Sequence, residues 1–254
     1  MAAPEIPADG VARFVVRLGD DAVVMGQRLC EWTSNGPTLE EDLALANVAL
    51  DYLGRARMFY GYAGALLGCS EDDLAFLRDA RQFENLLMVE LPRGDFAFTM
   101  ARQFLLDCFE LRYFGALRGS ADETLAGFAE RIEKEVRYHS RRSEQWLLRL
   151  GLGTAESHGR VTEALQELWG YRAELFEMDA LEERLRDEGV AVDRSALVDP
   201  WHEAVTEHLE RCGLQTPDTA WQVSGGRSGV HTESLGFLLA EMQSLPRAHP
   251  GLEW

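Results

Sequence analysis

From Ala121 to Leu150 the sequence runs thirty residues, ADETLAGFAERIEKEVRYHSRRSEQWLLRL, with no proline and a single glycine, Gly127. Leu125, Phe128, Ile132, Val136, His139, Ser143, Trp146 and Leu150 recur at steps of three and four. That spacing predicts a helix of about eight turns with one core-facing stripe. Glu135 lies three residues after Ile132, and His139 four after Glu135, so both are expected on the inward side. A carboxylate and an imidazole on the buried face of a long helix are what a carboxylate-bridged di-iron bundle uses. Whether the rest of such a site exists is the question for the remaining sequence.

Further segments have the same helical period. DDAVVMGQRLCEW predicts a helix capped by Asp20 or Asp21 and broken at Ser34-Asn35-Gly36-Pro37. Thr38 and Glu41 form a capping-box signature ahead of LEEDLALANVALDYLGRARMFYGYAGALLG. That segment is apolar on nearly every side in its first half and is expected to be deeply buried. Gly54, Gly61 and Gly64 fall at helical spacing along it, which would let another helix approach closely, and Gly68 and Ser70 end it. Pro92-Arg93-Gly94-Asp95 is a turn before FAFTMARQFLLDCFELRYFGALRG. Thr154 is placed to cap a further helix. Residues 179–198 read as a charged excursion with an extended GVAVD core, and Pro200 suits the first turn of WHEAVTEHLERCG. A last helix, TESLGFLLAEMQSL, is expected to end at Pro246 and Pro250.

The expectation is therefore all-α: a ferritin-like four-helix bundle of long antiparallel helices with shorter ones appended. Residues 1–17 are expected to be a flexible leader, disordered through residue 10, and residues 18–254 a single helical domain.

Lys and Arg number 25 against 43 Asp and Glu, a formal net charge of −18. Such acidity argues against a nucleic-acid partner or an anionic membrane. The cysteines Cys30, Cys69, Cys108 and Cys212 lie far apart, the N-terminus lacks the basic and apolar regions of a signal peptide, and no apolar run is long enough to span a bilayer. Together these imply a reduced, cytoplasmic protein.

A di-iron bundle needs a carboxylate from each of two helices and a Glu-x-x-His from each of two others. Three residues before His139, His158, His208, His231 and His249 stand Val136, Ala155, Val205, Ser228 and Pro246. Only His202, after Asp199, has a carboxylate there, across Pro200 at a helix start. What is left resembles a site stripped of its ligands: Glu31, Asp51, Asp107 and Glu135 supply one carboxylate per core helix. Tyr138 stands at the ligand position three after Glu135, and Gly54 three after Asp51. A hydrogen-bonded polar core of Glu31, Asp51, Asp107, Glu135, Tyr138 and His139 is preferred to a metal site, because buried carboxylates need partners that arginine and histidine supply. Glu135 with His139, and Asp51 with Arg55, are the expected pairs, and Asp107 is expected to join the first. The run Gly225-Gly226-Arg227-Ser228-Gly229 follows no strand and reads as a structural loop rather than an anion site.

GQRLCEW, LEEDLALANVALDYLGRAR, DLAFLRD, LPRGDFAFTMARQFL, KEVRYHSRRSEQWLLRLG and GGRSGVHTESLGFLLAEMQSLPRAHPG together resemble the C subunits of the bacterial phenylacetyl-CoA epoxidases, from about Leu18 to Trp254. The resemblance implies a ferritin-like bundle that supports a catalytic A subunit of similar fold. In that complex the A subunit holds the di-iron centre and places one oxygen atom of O₂ on the aromatic ring of phenylacetyl-CoA as a 1,2-epoxide, with electrons from NADPH through a reductase. It implies no catalytic residue, metal or other cofactor in this chain, a homodimer when alone and a hetero-oligomer in the complex. Two other readings stay open: an enzyme in its own right, using a metal on Asp107, Glu135 and His139, and a self-associating helical scaffold.

Overall fold

The computed structural model describes residues 3–251. Every regular element among them is helical, in agreement with the all-α expectation. Met1 and Ala2 of the expected leader, and Leu252 to Trp254 at the end of the resemblance, lie outside the described residues. The chain divides into two compact units: the part up to Pro92 together with the segment from Ser224, and Arg93–Val223.

The first unit is built on α1, Val11–Cys30, and α2, Leu39–Leu67. The link between them folds α2 back along α1: Gly19 lies against Tyr60, and Gly26 against Tyr52 and Leu53. Thr38 caps α2 by accepting from Glu41 N at 3.3 Å, and Gly68, with φ 73°, closes it. The short helices α3, Glu71–Phe76, and α4, Leu87–Glu90, follow. From the C-terminal segment come α10, Glu233–Met242, and α11, Ser244–Ala248.

Three expectations are corrected by this unit. The first helix does not begin at Asp20 but at Val11, and Phe14, Val15, Val16 and Arg17 are buried, so residues 11–17 belong to the fold and not to a leader. The apolar residues of FVVRL supply the first turns of its core face. Second, α2 is not buried all round: Leu39, Leu43 and Leu50 are 72%, 59% and 64% exposed. Third, Pro246 does not stop the chain's helices, because it sits in the first turn of α11, where no intrahelical N–H is needed.

The second unit is built on α5, Phe96–Leu117, and α6, Glu123–Gly151. Asp95 caps α5 by accepting from Phe98 N at 2.8 Å. Asp122 caps α6 through Thr124 N and Leu125 N, each at 3.0 Å. Leu125, Ile132, Val136, His139 and Ser143 of the α6 stripe are buried as the periodicity requires. Packed on this pair are α7, Ala155–Leu168, and α9, Val198–Arg211, with Pro200 in its first turn. The charged excursion also contains a helix, α8, Ala180–Asp187, where the sequence pattern predicts none. It is capped by Asp179 and fastened by the buried Arg194–Glu182 pair at 2.7 Å.

The glycine loop ahead of α10 is a tight turn. Gly229 adopts φ 71°, and a Cβ there would collide with the Arg81 carbonyl. Gly229→Ala therefore combines left-handed strain with a backbone clash. It is expected to cost at least about 1–2 kcal/mol in urea denaturation, and an unchanged midpoint would contradict the geometry.

Candidate functional site

The polar interior of the first unit starts from a row on α1. Arg13, Arg17, Asp20 and Arg28 recur at helical steps, on the side that meets α2 and the segment after α3. Asp20 is fully buried. Its carboxylate accepts from Tyr60 Oη at 2.6 Å, from Arg78 Nη1 at 3.1 Å, from Arg78 Nη2 and from Glu84 N at 2.8 Å. Burial, then the charge of Asp20, pushes the Tyr60 phenol well above its ordinary pKa. Burial opposes the Arg78 charge, but Asp20 outweighs it and keeps the guanidinium protonated.

Glu84 takes Arg17 Nε at 2.6 Å and Arg13 Nε at 3.0 Å. Burial would raise its pKa, but these two arginines hold it below the usual carboxylate value. The C-terminal segment joins the network through Arg227, which donates to Asp21 Oδ2 at 2.7 Å and Glu84 O at 2.6 Å. The glycine loop thus carries an arginine committed to internal partners, as a structural loop would. His231 Nε2 lies 2.7 Å from Phe83 O, and Nδ1 2.7 Å from Glu90 Oε2. A carbonyl oxygen only accepts, so Nε2 must donate. A bare Nδ1 would then face a carboxylate, so the site favours the doubly protonated ring. Burial alone would lower the His231 pKa, but the hydrogen bond to Glu90, then that to Phe83 O, raise it above its ordinary value. Glu90 is itself buried and also accepts from Asn85 Nδ2 and Thr232 N.

The second unit holds Asp107, fully buried on α5. One oxygen accepts from Gln103 Nε2 and the other from Ser143 Oγ, each at 2.7 Å. On α9, His208 Nε2 lies 3.0 Å from Glu144 O, and the Trp201 indole donates to Leu105 O at 3.0 Å.

The six residues expected in one polar core differ in burial. Asp107 and His139 are buried. Glu31 is not inward: it ends α1, is paired with Arg28 at 2.6 Å and is 37% exposed. Tyr138 is 59% exposed, because it lies one residue off the stripe. Asp51 and Glu135 are half-buried. Glu135 accepts from the exposed Arg131 one turn earlier, at 3.3 Å. Arg55 lies over the Tyr52 ring, 4.4 Å from its centroid. Asp107 takes an amide and a hydroxyl among its partners, Gln103 and Ser143.

Among the described residues, no group of three or more His, Cys, Asp and Glu side chains is arranged to hold a metal ion. The donor sets around Asp20, Glu84, Glu90 and Asp107 are N–H and O–H groups that already occupy the carboxylate lone pairs. Such a set does not fit a di-iron centre, which needs bridging carboxylates and imidazoles converging on one point. Sequence reasoning misses the network around Asp20 because a helix starting at Asp20 turns that residue into a cap. The spacing of Arg13, Arg17 and Asp20 by four and three, with Arg28 two turns further on, is the signal that finds it.

Removing the charge of Asp20 leaves Arg78 buried without its counter-ion. Asp20→Asn is expected to lower stability by about 3–5 kcal/mol, measured by urea unfolding, and a loss below about 1 kcal/mol would refute the pairing. The pH profile is also fixed in sign. The raised pKa of His231 gives a contribution complete below the ordinary 6.5 and lost as pH rises through the folded value. The lowered pKa of Glu84 gives one complete above the ordinary 4.5 and lost as pH falls through the folded value. Unfolding free energy should be greatest between these limits, and His231→Gln should flatten the alkaline decline. Wild-type stability that climbs above pH 6.5 would show the His231 site to be neutral.

A family profile described as phenylacetic acid catabolic protein matches residues 2–254. The curated C subunit of the 1,2-phenylacetyl-CoA epoxidase of Escherichia coli (strain K12) is 46% identical over 242 residues, covering 95% of this chain and 98% of that protein. On the extent of both matches, the chain belongs to the phenylacetic acid catabolic protein family.

Proposed function

We propose that this chain is the non-catalytic structural component of a phenylacetyl-CoA 1,2-epoxidase, acting in aerobic phenylacetate degradation by supporting a separate catalytic A subunit. The observation that carries the reading is the match to the C subunit of an epoxidase along nearly the whole of both chains. The polar interior supports it. The carboxylates of α1 and α5 are held by arginine, tyrosine, serine and amide donors, so their task in this chain is to fix helices against one another. The di-iron chemistry is assigned to the partner, and no cofactor to this chain. The complex is placed in the cytoplasm. No helix among the described residues is long and apolar enough to cross a membrane. Burial pushes the thiols of Cys108 and Cys212 up, the latter to about 11, which suits cysteines that stay reduced.

Co-expression with the A subunit under iron-replete conditions tests this. The expected result is a stable complex, with iron only in stoichiometric proportion to the A subunit and none retained by this chain alone. Asp107→Ala should lower stability more than Glu135→Ala, by about 1–3 kcal/mol, because it removes a fully buried acceptor of the Gln103 and Ser143 hydrogen bonds, whereas Glu135 is half-buried and pairs with an exposed arginine. Surviving complex of either variant should keep near wild-type turnover per di-iron site. Two tightly held irons per isolated chain, or a hundredfold fall in turnover with stability intact, would overturn the reading.

A further inference from the structure

Leu39, Leu43, Leu50 and Leu53 of α2 fall on a line stepped by four, seven and three residues, and with Ala46 between them the spacing becomes four-three-four-three. The first three are more than half exposed, and Leu53 is half-buried against Gly26 of α1. Four-three spacing is the pattern by which one helix receives another along a seam. From Leu39 to Arg57 the seam is about 27 Å long at 1.5 Å per residue. Large aliphatic side chains on a soluble surface are unremarkable when scattered, but a continuous row marks an interface.

One glycine, Gly54, adjoins the leucines, and a second, Gly61, lies one turn beyond Arg57. A Cβ at Gly54 would meet nothing within 4 Å, and one at Gly61 would meet only a Glu71 carboxylate oxygen at 3.6 Å. Within this chain nothing requires glycine at either position, although glycine weakens a helix interior relative to alanine. A close-approaching helix from outside the chain supplies the requirement.

We infer that this face of α2 is the docking seam for a helix of the epoxidase's catalytic A subunit, one that is apolar on the facing side and basic along its flank. The inference rests on the function proposed above and adds the surface and its chemistry. The charge pattern selects the partner. Glu40, Glu41 and Asp42 surround the start of the seam, and Arg57 at its other end is engaged by Glu71 at 3.0 Å. A second copy in parallel would set these carboxylates against themselves, and one in antiparallel would set Leu39 against Arg57. Two chains of net charge −18 also repel at long range. A partner with cationic flanks satisfies both the leucines and the acids.

The test uses the full-length chain titrated with the purified A subunit. Leu43→Glu with Leu50→Glu changes two side chains that are exposed in the free chain, so its fold and melting temperature should hold. Leu152→Glu, 62% exposed on the other unit, is the control. The double variant is expected to lose at least about a hundredfold in affinity, since each carboxylate would be buried without a partner, while the control binds as wild type. Gly54→Leu should leave the free chain at least as stable as wild type and weaken the complex by about tenfold or more. Wild-type affinity in both α2 variants would overturn the seam while leaving the proposed function standing. Failure of the wild-type chain to bind the A subunit at all would overturn both. Loss of self-association with unchanged affinity for the A subunit would assign the seam to a second copy and refute the inference.

Discussion

One buried carboxylate organises the first unit. Asp20 sits in the middle of α1 and is surrounded by the Tyr60 hydroxyl from α2, the Arg78 guanidinium from the end of α3 and the Glu84 amide beyond it. Each of these donors is buried or nearly so, and each belongs to a different stretch of chain. The carboxylate therefore fixes three segments at once. A charge at this depth is tolerated only with its partners in place, so the same residue penalises every arrangement in which α2 or the Arg78 segment is displaced. The neighbouring Arg227–Asp21 and His231–Glu90 pairs extend that condition to the C-terminal segment, which returns to α1 from more than two hundred residues away.

This interior also shows how a helix carries carboxylates inward with arginine as the counter-charge. In a di-iron site the carboxylates are neutralised by the irons they bridge. Here the neutralising charge is built into the chain as arginine: Arg13 and Arg17 on Glu84, Arg78 on Asp20, Arg227 on Asp21. In the second unit the buried Asp107 accepts from Gln103 and Ser143. Arginine suits the first unit because its planar fork donates to several acceptors from one charge. Arg28 shows this with a single side chain that reaches Glu31, the Glu90 carbonyl and the Ser234 carbonyl.

The helices themselves are legible from periodicity and caps. Thr38 and Thr154 mark starts that depend only on local hydrogen bonds, which is why the sequence reveals them. The early start of α1 is not legible, because nothing in Gly10 or Val11 supplies a side-chain cap, and Asp20-Asp21 imitates one. The helix α8 is hidden by its charged composition, and it depends on the Arg194–Glu182 pair, a contact between residues twelve apart. The candidate site is half legible. Asp107 and His139 lie inward as the stripe requires, but a carboxylate's partner on another helix is a tertiary fact: Ser143 on the Asp107 oxygen does not follow from spacing. Glu31 escapes the pattern for a related reason, since a residue at a helix end is free to swing to solvent even when its line points inward.

The exposed face of α2 is where folding and assembly part company. A helix that is apolar on almost every side is ordinarily either buried within its own chain or unstable in water. Here the buried line of Leu45, Val48, Ala49, Tyr52 and Phe59 secures α2 against its own unit, so the helix does not need the outward leucines in order to fold. Leu39, Leu43 and Leu50 keep more than half of their surface in water in the isolated chain, and Gly54 weakens the helix slightly. Their burial becomes favourable only when another surface covers them, at roughly 25 cal/mol for each Å² of apolar area removed from water. Glu40, Glu41 and Asp42 at the start of the inferred seam would favour a surface of the opposite sign there. On this view the arginine-filled interior and the leucine face are complementary: the first fixes α1 and α2 against each other, and the second is the face inferred to meet another protein of the complex.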